Sequence, residues 1–167
     1  RLIAGGVVRR AGEYVVETGA GTGAVSRALL AAGVPADRLI LVEMAPDLAD
    51  HLRRTHPDVR VIEGDARELP ALLPDEAVGR VGTVISGIPM TMLPMEVMRP
   101  MVDAMFMLMP PGRRFLHYSF CITSPLPYRK LGLRPERIGF TLGNLPPASV
   151  WGYAAAEAAA PEAHAAE

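Results

Sequence analysis

Blocks of apolar residues alternate along the chain with stretches of three- and four-residue periodicity. Tyr14–Glu17, Leu39–Met44, Val59–Glu63 and Val81–Ser86 predict strands, and Ala24–Ala32, Pro46–Thr55 and a short turn near Arg67–Leu73 predict helices between them. The continuous apolar character of Val81–Ser86 suits a strand buried on both faces. A parallel sheet covered by helices follows from this order. After a proline-punctuated loop, Met95, Met98, Met101 or Val102, Met105 and Met109 recur at helical spacing, while Glu96, Arg99 and Asp103 fall elsewhere. Met95–Met109 is therefore predicted as a helix that packs on the sheet, ended by Pro110, Pro111 and Gly112. Arg113–Phe120 predicts the next strand, and Pro125–Leu133 a weak helical or irregular segment. Ile138–Leu142 and Ser149–Tyr153 are too close for a parallel crossover, so they predict an antiparallel hairpin. The expected fold is α/β, a mostly parallel seven-stranded sheet with a C-terminal antiparallel hairpin.

Half of the 167 residues are hydrophobic and the mean hydropathy is +0.21, which fits one compact domain with a single core. The domain is expected over residues 1–153. Residues 154–167, nearly all Ala and Glu with Pro161 and His164, read as a compositional tail. Seventeen basic residues against eighteen acidic ones leave a net charge of −1, so no global field draws the molecule to a polyanion, and a nucleic-acid partner is not expected. Contact with a lipid surface must be local. Cys121, the one cysteine, cannot close an internal disulfide, and no secretion signal is evident, so a cytoplasmic monomer is the expectation. The apolar stretch Met101–Met109 contains Asp103 and falls well short of the roughly 20 residues that span a bilayer. Thirteen residues precede the first strand and the chain opens at Arg1, so an N-terminal portion beyond it is expected. No metal site is expected.

The candidate chemistry begins at Val15-Val16-Glu17-Thr18-Gly19-Ala20-Gly21-Thr22-Gly23, where a strand runs into a glycine-rich turn and then a helix. Glycines there let a ligand lie against bare backbone. Alone, the run also suits a structural turn or a dinucleotide site. Its context narrows the reading: Glu43 ends the second strand, where a carboxylate can accept both ribose hydroxyl hydrogens. Glu63-Gly64-Asp65-Ala66 ends the third, and Asp65 can accept from an adenine amino group or cap the helical turn after it. Both roles are compatible. A nicotinamide site prefers Gly-x-Gly-x-x-Gly, and here the third glycine comes one residue early.

These residues resemble the Rossmann-like family of S-adenosylmethionine-dependent methyltransferases over nearly the whole chain. The resemblance implies that Glu17, Gly19, Gly21, Thr22 and Gly23 hold the methionine end of S-adenosylmethionine. By the same resemblance Glu43 and its neighbour Met44 hold the ribose side, Asp65 and Ala66 the adenine, and Ser86 and Gly87 the far wall.

Ligands of such sheets lie outside the carboxyl ends of the strands, so the acceptor is expected near Ser86-Gly87-Ile88-Pro89, the end of the Phe115–Phe120 run, and the loop around Asn144. Ser86 and the carbonyls of Gly87 and Ile88 can accept amine hydrogens, or form an ordinary turn stiffened by Pro89. His117 and Tyr118 point to opposite faces of one strand, and Tyr118 is preferred as the residue facing the acceptor.

The pattern from Ser86-Gly87-Ile88-Pro89 through Pro110-Pro111-Gly112-Arg113-Arg114-Phe115 to Asn144-Leu145-Pro146-Pro147-Ala148-Ser149-Val150-Trp151 is similar to bacterial phosphatidylethanolamine N-methyltransferases. That resemblance implies successive methylation of a headgroup amine toward phosphatidylcholine, and an N-terminal amphipathic segment for membrane binding. It also implies peripheral attachment to the inner face of the cytoplasmic membrane. Ribosomal RNA adenine dimethyltransferases are neighbours of this family, with Asn-Leu-Pro-Tyr where this chain has Gly87-Ile88-Pro89-Met90, lacking the amide and the aromatic that hold a flipped base. An RNA or small-molecule acceptor and a non-catalytic binding module stay as alternatives. Arg129, Lys130, Arg134 and Arg137, opposed by Glu136, are expected beside the acceptor edge, where they suit a lipid phosphate or an anionic surface, or simply a solvated face. The methionine stripe suits core packing, or an acyl path.

Overall fold

The computed structural model describes residues 2–142 and 147–156. Its elements are α1 (Leu2–Gly5), β1 (Tyr14–Thr18), α2 (Ala24–Ala31), β2 (Leu39–Glu43), α3 (Pro46–Thr55), β3 (Arg60–Glu63) and α4 (Leu69–Leu72). They continue with β4 (Val81–Ser86), α5 (Met95–Met107), β5 (Arg114–Ser119), α6 (Tyr128–Leu131), β6 (Leu133–Thr141) and β7 (Ala148–Ala155). The seven strands form one sheet in the order β3-β2-β1-β4-β5-β7-β6. Pairing is parallel from β3 to β5 and antiparallel where β7 inserts between β5 and β6.

Every residue of β1, β2 and β4 is buried, because side chains alternate between two covered faces. Val15, Leu39, Leu41, Ile85, Leu116 and Val150 pack with Ile3 of α1, Leu29 of α2 and Leu52 of α3. Val16, Ile40, Val42, Val84, Phe115 and Tyr153 pack on the other face with Leu69 of α4, the methionines of α5 and Leu131 of α6. Phe115 anchors this second layer, stacked on Tyr153 at 5.1 Å and meeting Phe106 edge-on at 5.7 Å. At the amino end, Arg113 grips both oxygens of Glu13 at 2.6 Å, tying the segment before β1 to the loop before β5.

The predicted elements are present, with differences at their ends. The helix expected over Met95–Met109 stops at Met107; Met98, Met101, Val102 and Met105 are buried in the core, and Met107 is exposed. The irregular segment before the hairpin contains the single turn α6, closed by Gly132 in the left-handed region (φ +67°). The α1 turn carries too few residues to show a periodicity. The largest difference is β6, which begins at Leu133 and not at Ile138, because Pro135 and the charges around it are tolerated on a sheet edge. β7 likewise continues to Ala155.

Candidate functional site

β1 and β4 lie side by side although β2 and β3 intervene in sequence, so the chain changes direction across the sheet between them. A crevice opens outside the carboxyl ends at such a switch. Three loops meet there through backbone bonds: Gly19 N–H donates to Val42 O and Gly87 N–H to Thr18 O, each at 2.8 Å, and Gly64 N–H to Glu43 O at 3.0 Å. The seam requires glycine. A Cβ on Gly19, whose φ is +66°, would sit 2.9 Å from Ile88 Cγ1, and one on Gly87 would sit 2.7 Å from Gly19 O.

A cavity of about 520 Å³ lies on this seam, lined by Gly19, Glu43, Met44, Gly64, Asp65, Ala66 and Arg67 on one side. Gly87, Ile88, Pro89, Leu93, Val97 and Met101 line the other. Glu43 is buried; its Oε2 accepts from Gly21 N–H at 2.9 Å and its Oε1 from Ala45 N–H at 3.0 Å. Each carboxylate oxygen keeps a second acceptor direction. Asp65 caps the turn after β3 by accepting from Arg67 N–H at 2.9 Å, and its other oxygen accepts from the Arg67 guanidinium. That guanidinium, together with the capped N–H, holds the Asp65 carboxyl below its usual range.

Glu17 is buried behind the glycine turn and accepts from Ser26 Oγ at 2.7 Å. Burial pushes its pKa up to about 7, against the Ser26 bond and with a smaller push from the Glu43 charge. A buried carboxylate is costly, and no salt bridge to Glu17 is present among the described residues, so the ammonium of an amino acid moiety would suit it. Thr22 is exposed, and its carbonyl accepts from Arg27.

A second cavity of about 400 Å³ lies at the same edge on the α1–α2 face, bounded by Leu2 and Ile3, Ala24 and Val25, Tyr118 and Phe120, and residues 148–150 of β7. Tyr118 of the second cavity backs onto Gly87 of the first: its Cε1 is 3.3 Å from where a Gly87 Cβ would stand. Burial, with a contribution from Glu17, raises the Tyr118 phenol above its usual pKa, so the hydroxyl stays protonated at neutral pH.

Other expected site residues are placed differently. Ser86 is fully buried, its Oγ lacks a hydrogen-bond partner among the described residues, and the cavity wall begins one residue later at Gly87. His117 faces the α5 side, buried, with Nδ1 3.2 Å from Ser86 O. Burial drives its pKa down to about 4, so it is a neutral ring fastened inside the sheet. Arg129 and Lys130 are exposed on α6, and Arg99 donates to the Lys130 carbonyl. Arg134 pairs in register with Ala154 and through it with Arg114, the first residue of β5. The early start of β6 therefore carries Arg134 to the amino end of the sheet, away from the acceptor edge where sequence spacing put it. Asn144 lies outside the described residues.

The sequence reading missed Ser26 as the partner of Glu17, and the apolar wall Ile88, Leu93 and Val97. It also missed Leu2, Ile3, Ala24, Val25 and Phe120 around the second cavity. Only the Glu17-to-Ser26 spacing, one helical turn past the glycines, carries a signal in sequence.

The model of a methyltransferase domain matches residues 15–112, which contain the whole glycine turn, Glu43, Asp65 and the β4 loop. The chain belongs to the methyltransferase domain family. An ornithine lipid N-methyltransferase from Singulisphaera acidiphila is 29% identical over 143 residues, spanning 82% of this chain and 73% of that protein. Among solved structures, the CurJ carbon methyltransferase superposes with a TM-score of 0.65 at 13% identity, covering 87% of this chain and 49% of that one. This methyltransferase domain thus spans about half the length of that solved chain. The magnesium protoporphyrin IX methyltransferase of Synechocystis, solved with S-adenosylmethionine, superposes with a TM-score of 0.63 at 16% identity, covering 93% and 74%.

The cofactor of this methyltransferase is S-adenosylmethionine, and the residues present fit it. Glu43 has acceptor capacity for ribose hydroxyls, Glu17 is a buried carboxylate suited to an ammonium, and Met44, Ala66, Ile88 and Leu93 give apolar walls for a ring. No helix among the described residues is long and apolar enough to cross a membrane.

Proposed function

We propose that this methyltransferase transfers methyl groups to the headgroup amine of a membrane lipid, with phosphatidylethanolamine the first candidate and successive transfers leading toward phosphatidylcholine. The observation that carries the reading is the apolar cavity beside Tyr118, open at the same edge as the cofactor cavity and separated from it by the Gly19–Gly87 seam. The lipid N-methyltransferase relative supports the same acceptor class.

Bound S-adenosylmethionine supplies an electrophilic methyl carbon on a sulfonium, whose sulfur keeps the electron pair of the broken S–C bond. The amine must arrive with its lone pair free, and the apolar walls contributed by Ile3, Val25 and Val150 favour the neutral amine over the ammonium. Tyr118 keeps its proton, so it acts by accepting an N–H on its oxygen lone pair and aiming the nitrogen across Gly87; it is a positioning group and not the base. Backbone carbonyls beside Gly87 offer further acceptors. Lys130 and Arg129 suit an anionic membrane surface, consistent with peripheral attachment at the inner face of the cytoplasmic membrane.

The relative named for ornithine lipid favours a second reading, an aminolipid without a phosphate. Vesicles holding phosphatidylethanolamine and ornithine lipid in equal amounts, incubated with S-adenosylmethionine and read by mass spectrometry, separate the two. Methyl additions confined to phosphatidylethanolamine support the first reading, and additions confined to ornithine lipid replace it. Additions to neither, from a chain that binds S-adenosylmethionine, refute the lipid assignment.

A further inference from the structure

Asp65 and Arg67 both line the cofactor cavity, on the turn after β3. The backbone there is pinned on either side of Asp65: Gly64 N–H donates to Glu43 O at 3.0 Å, and Glu68 N–H donates to Asp65 O at 2.9 Å. Rotation of the carboxyl is the freedom that remains. The Asp65 side chain is 22% exposed, so packing alone does not fix it. Arg67 closes that freedom.

A carboxylate offers about four acceptor positions, two on each oxygen. Arg67 Nε donates to Asp65 Oδ2 at 2.8 Å and Arg67 Nη2 donates to the same oxygen, which is thereby filled. The Arg67 backbone N–H takes one position on Oδ1, at 2.9 Å. Among the described residues no other donor reaches this carboxyl, so one acceptor position is left, on Oδ1. Glu43 differs: each of its oxygens holds one backbone N–H and keeps one position, as a pair of hydroxyls requires. Asp65 keeps what a single N–H requires. The guanidinium also holds the Asp65 carboxyl ionised, below its usual range, so that it accepts and does not donate. A freely turning or protonated carboxyl would accommodate an amino or a carbonyl group alike.

We propose that Arg67 is a positioning residue that determines nucleobase specificity: its fork locks the Asp65 carboxylate so that the one remaining acceptor takes the 6-amino group of adenine and rejects a 6-oxo purine. The proposal rests on the placement of adenine at Asp65 and is independent of the methyl acceptor. Arg67 is exposed, and the N–H that closes the turn belongs to its backbone, so truncating its side chain leaves the turn capped.

Calorimetry on the full chain with S-adenosylhomocysteine and its hypoxanthine counterpart, S-inosylhomocysteine, reads the preference directly. The wild-type chain is expected to favour adenine by about thirtyfold, because a 6-oxo group sets lone pair against lone pair. Arg67→Ala should reduce that ratio to about threefold by weakening S-adenosylhomocysteine while leaving S-inosylhomocysteine within about twofold. Arg67→Lys, which keeps the charge without the planar fork, should recover less than half of the wild-type preference. Equal losses for the two ligands in Arg67→Ala would make the side chain a general wall of the cavity and overturn the proposal. An unchanged ratio overturns it as well, and full recovery by lysine assigns the effect to charge and overturns the fork. Asp65→Asn separates the two levels: a preference that survives this variant refutes the placement of adenine at Asp65, whereas a preference lost in Asp65→Asn and kept in Arg67→Ala refutes the role of Arg67 alone.

Discussion

The two halves of the carboxyl edge are built on different principles. On the β1–β2–β3 side the polar groups are committed: buried Glu17 to Ser26, buried Glu43 to two backbone N–H groups, and half-buried Asp65 to Arg67. On the β5–β7–β6 side the surface is apolar, and Tyr118 is the titratable side chain that reaches the cavity there. A cofactor of fixed shape demands fixed donors and acceptors, whereas an acceptor arriving from an apolar phase asks for exclusion of water and one aligned contact. Substitutions on the two sides should therefore fail in different ways.

The largest effect is expected from Glu43→Ala, which leaves the Gly21 and Ala45 N–H groups without their acceptor and removes the carboxylate proposed to hold the ribose. Losses on the order of 3 kcal/mol, about a hundredfold in S-adenosylmethionine affinity, follow and are read by calorimetry. Gly87→Ala cuts across the comparison, since its Cβ would press on both Gly19 O and Tyr118. Affinity and turnover should fall together, each by about tenfold, and a change in one alone would show that the halves are not mechanically joined. Tyr118→Phe should lower turnover about tenfold with cofactor affinity unchanged; unchanged turnover removes the hydroxyl from the reaction.

A smaller effect concerns pH. Glu17 holds its proton more tightly folded, at about 7, than at its ordinary 4.5, so the cofactor-free protein loses stability as pH rises between those values and levels off above. Denaturant midpoints should decline over that window, and Glu17→Gln should flatten the decline. A midpoint that rises across it would contradict the assignment. The smallest effect is Arg134→Ala: at the amino end of the sheet, it should leave vesicle methylation within about twofold.

Sequence resolved the two halves unequally for the same reason. Glu17, the glycines, Glu43 and Asp65 sit at strand ends in consecutive units, so local spacing alone locates them. The acceptor half depends on register and on which face each side chain takes. The alternation that separates Tyr118 from His117 was legible, but the starting point of β6, and with it the position of Arg134, depends on pairing with β7 across the chain. Ser86 shows the same limit: its place at the end of β4 was readable, whereas its complete burial follows from α5 packing over the sheet. The N-terminal contribution of Leu2 and Ile3 had no periodic signal at all, since α1 is a single turn.

The most direct test supplies the chain with tritiated S-adenosylmethionine and phosphatidylethanolamine vesicles, then extracts the lipid and separates it by headgroup. Label in the mono-, di- or trimethylated headgroup is the predicted result. An unlabelled lipid fraction, from a chain whose binding of the cofactor is verified in the same preparation, would contradict the assignment of a lipid amine to the Tyr118 side of the edge.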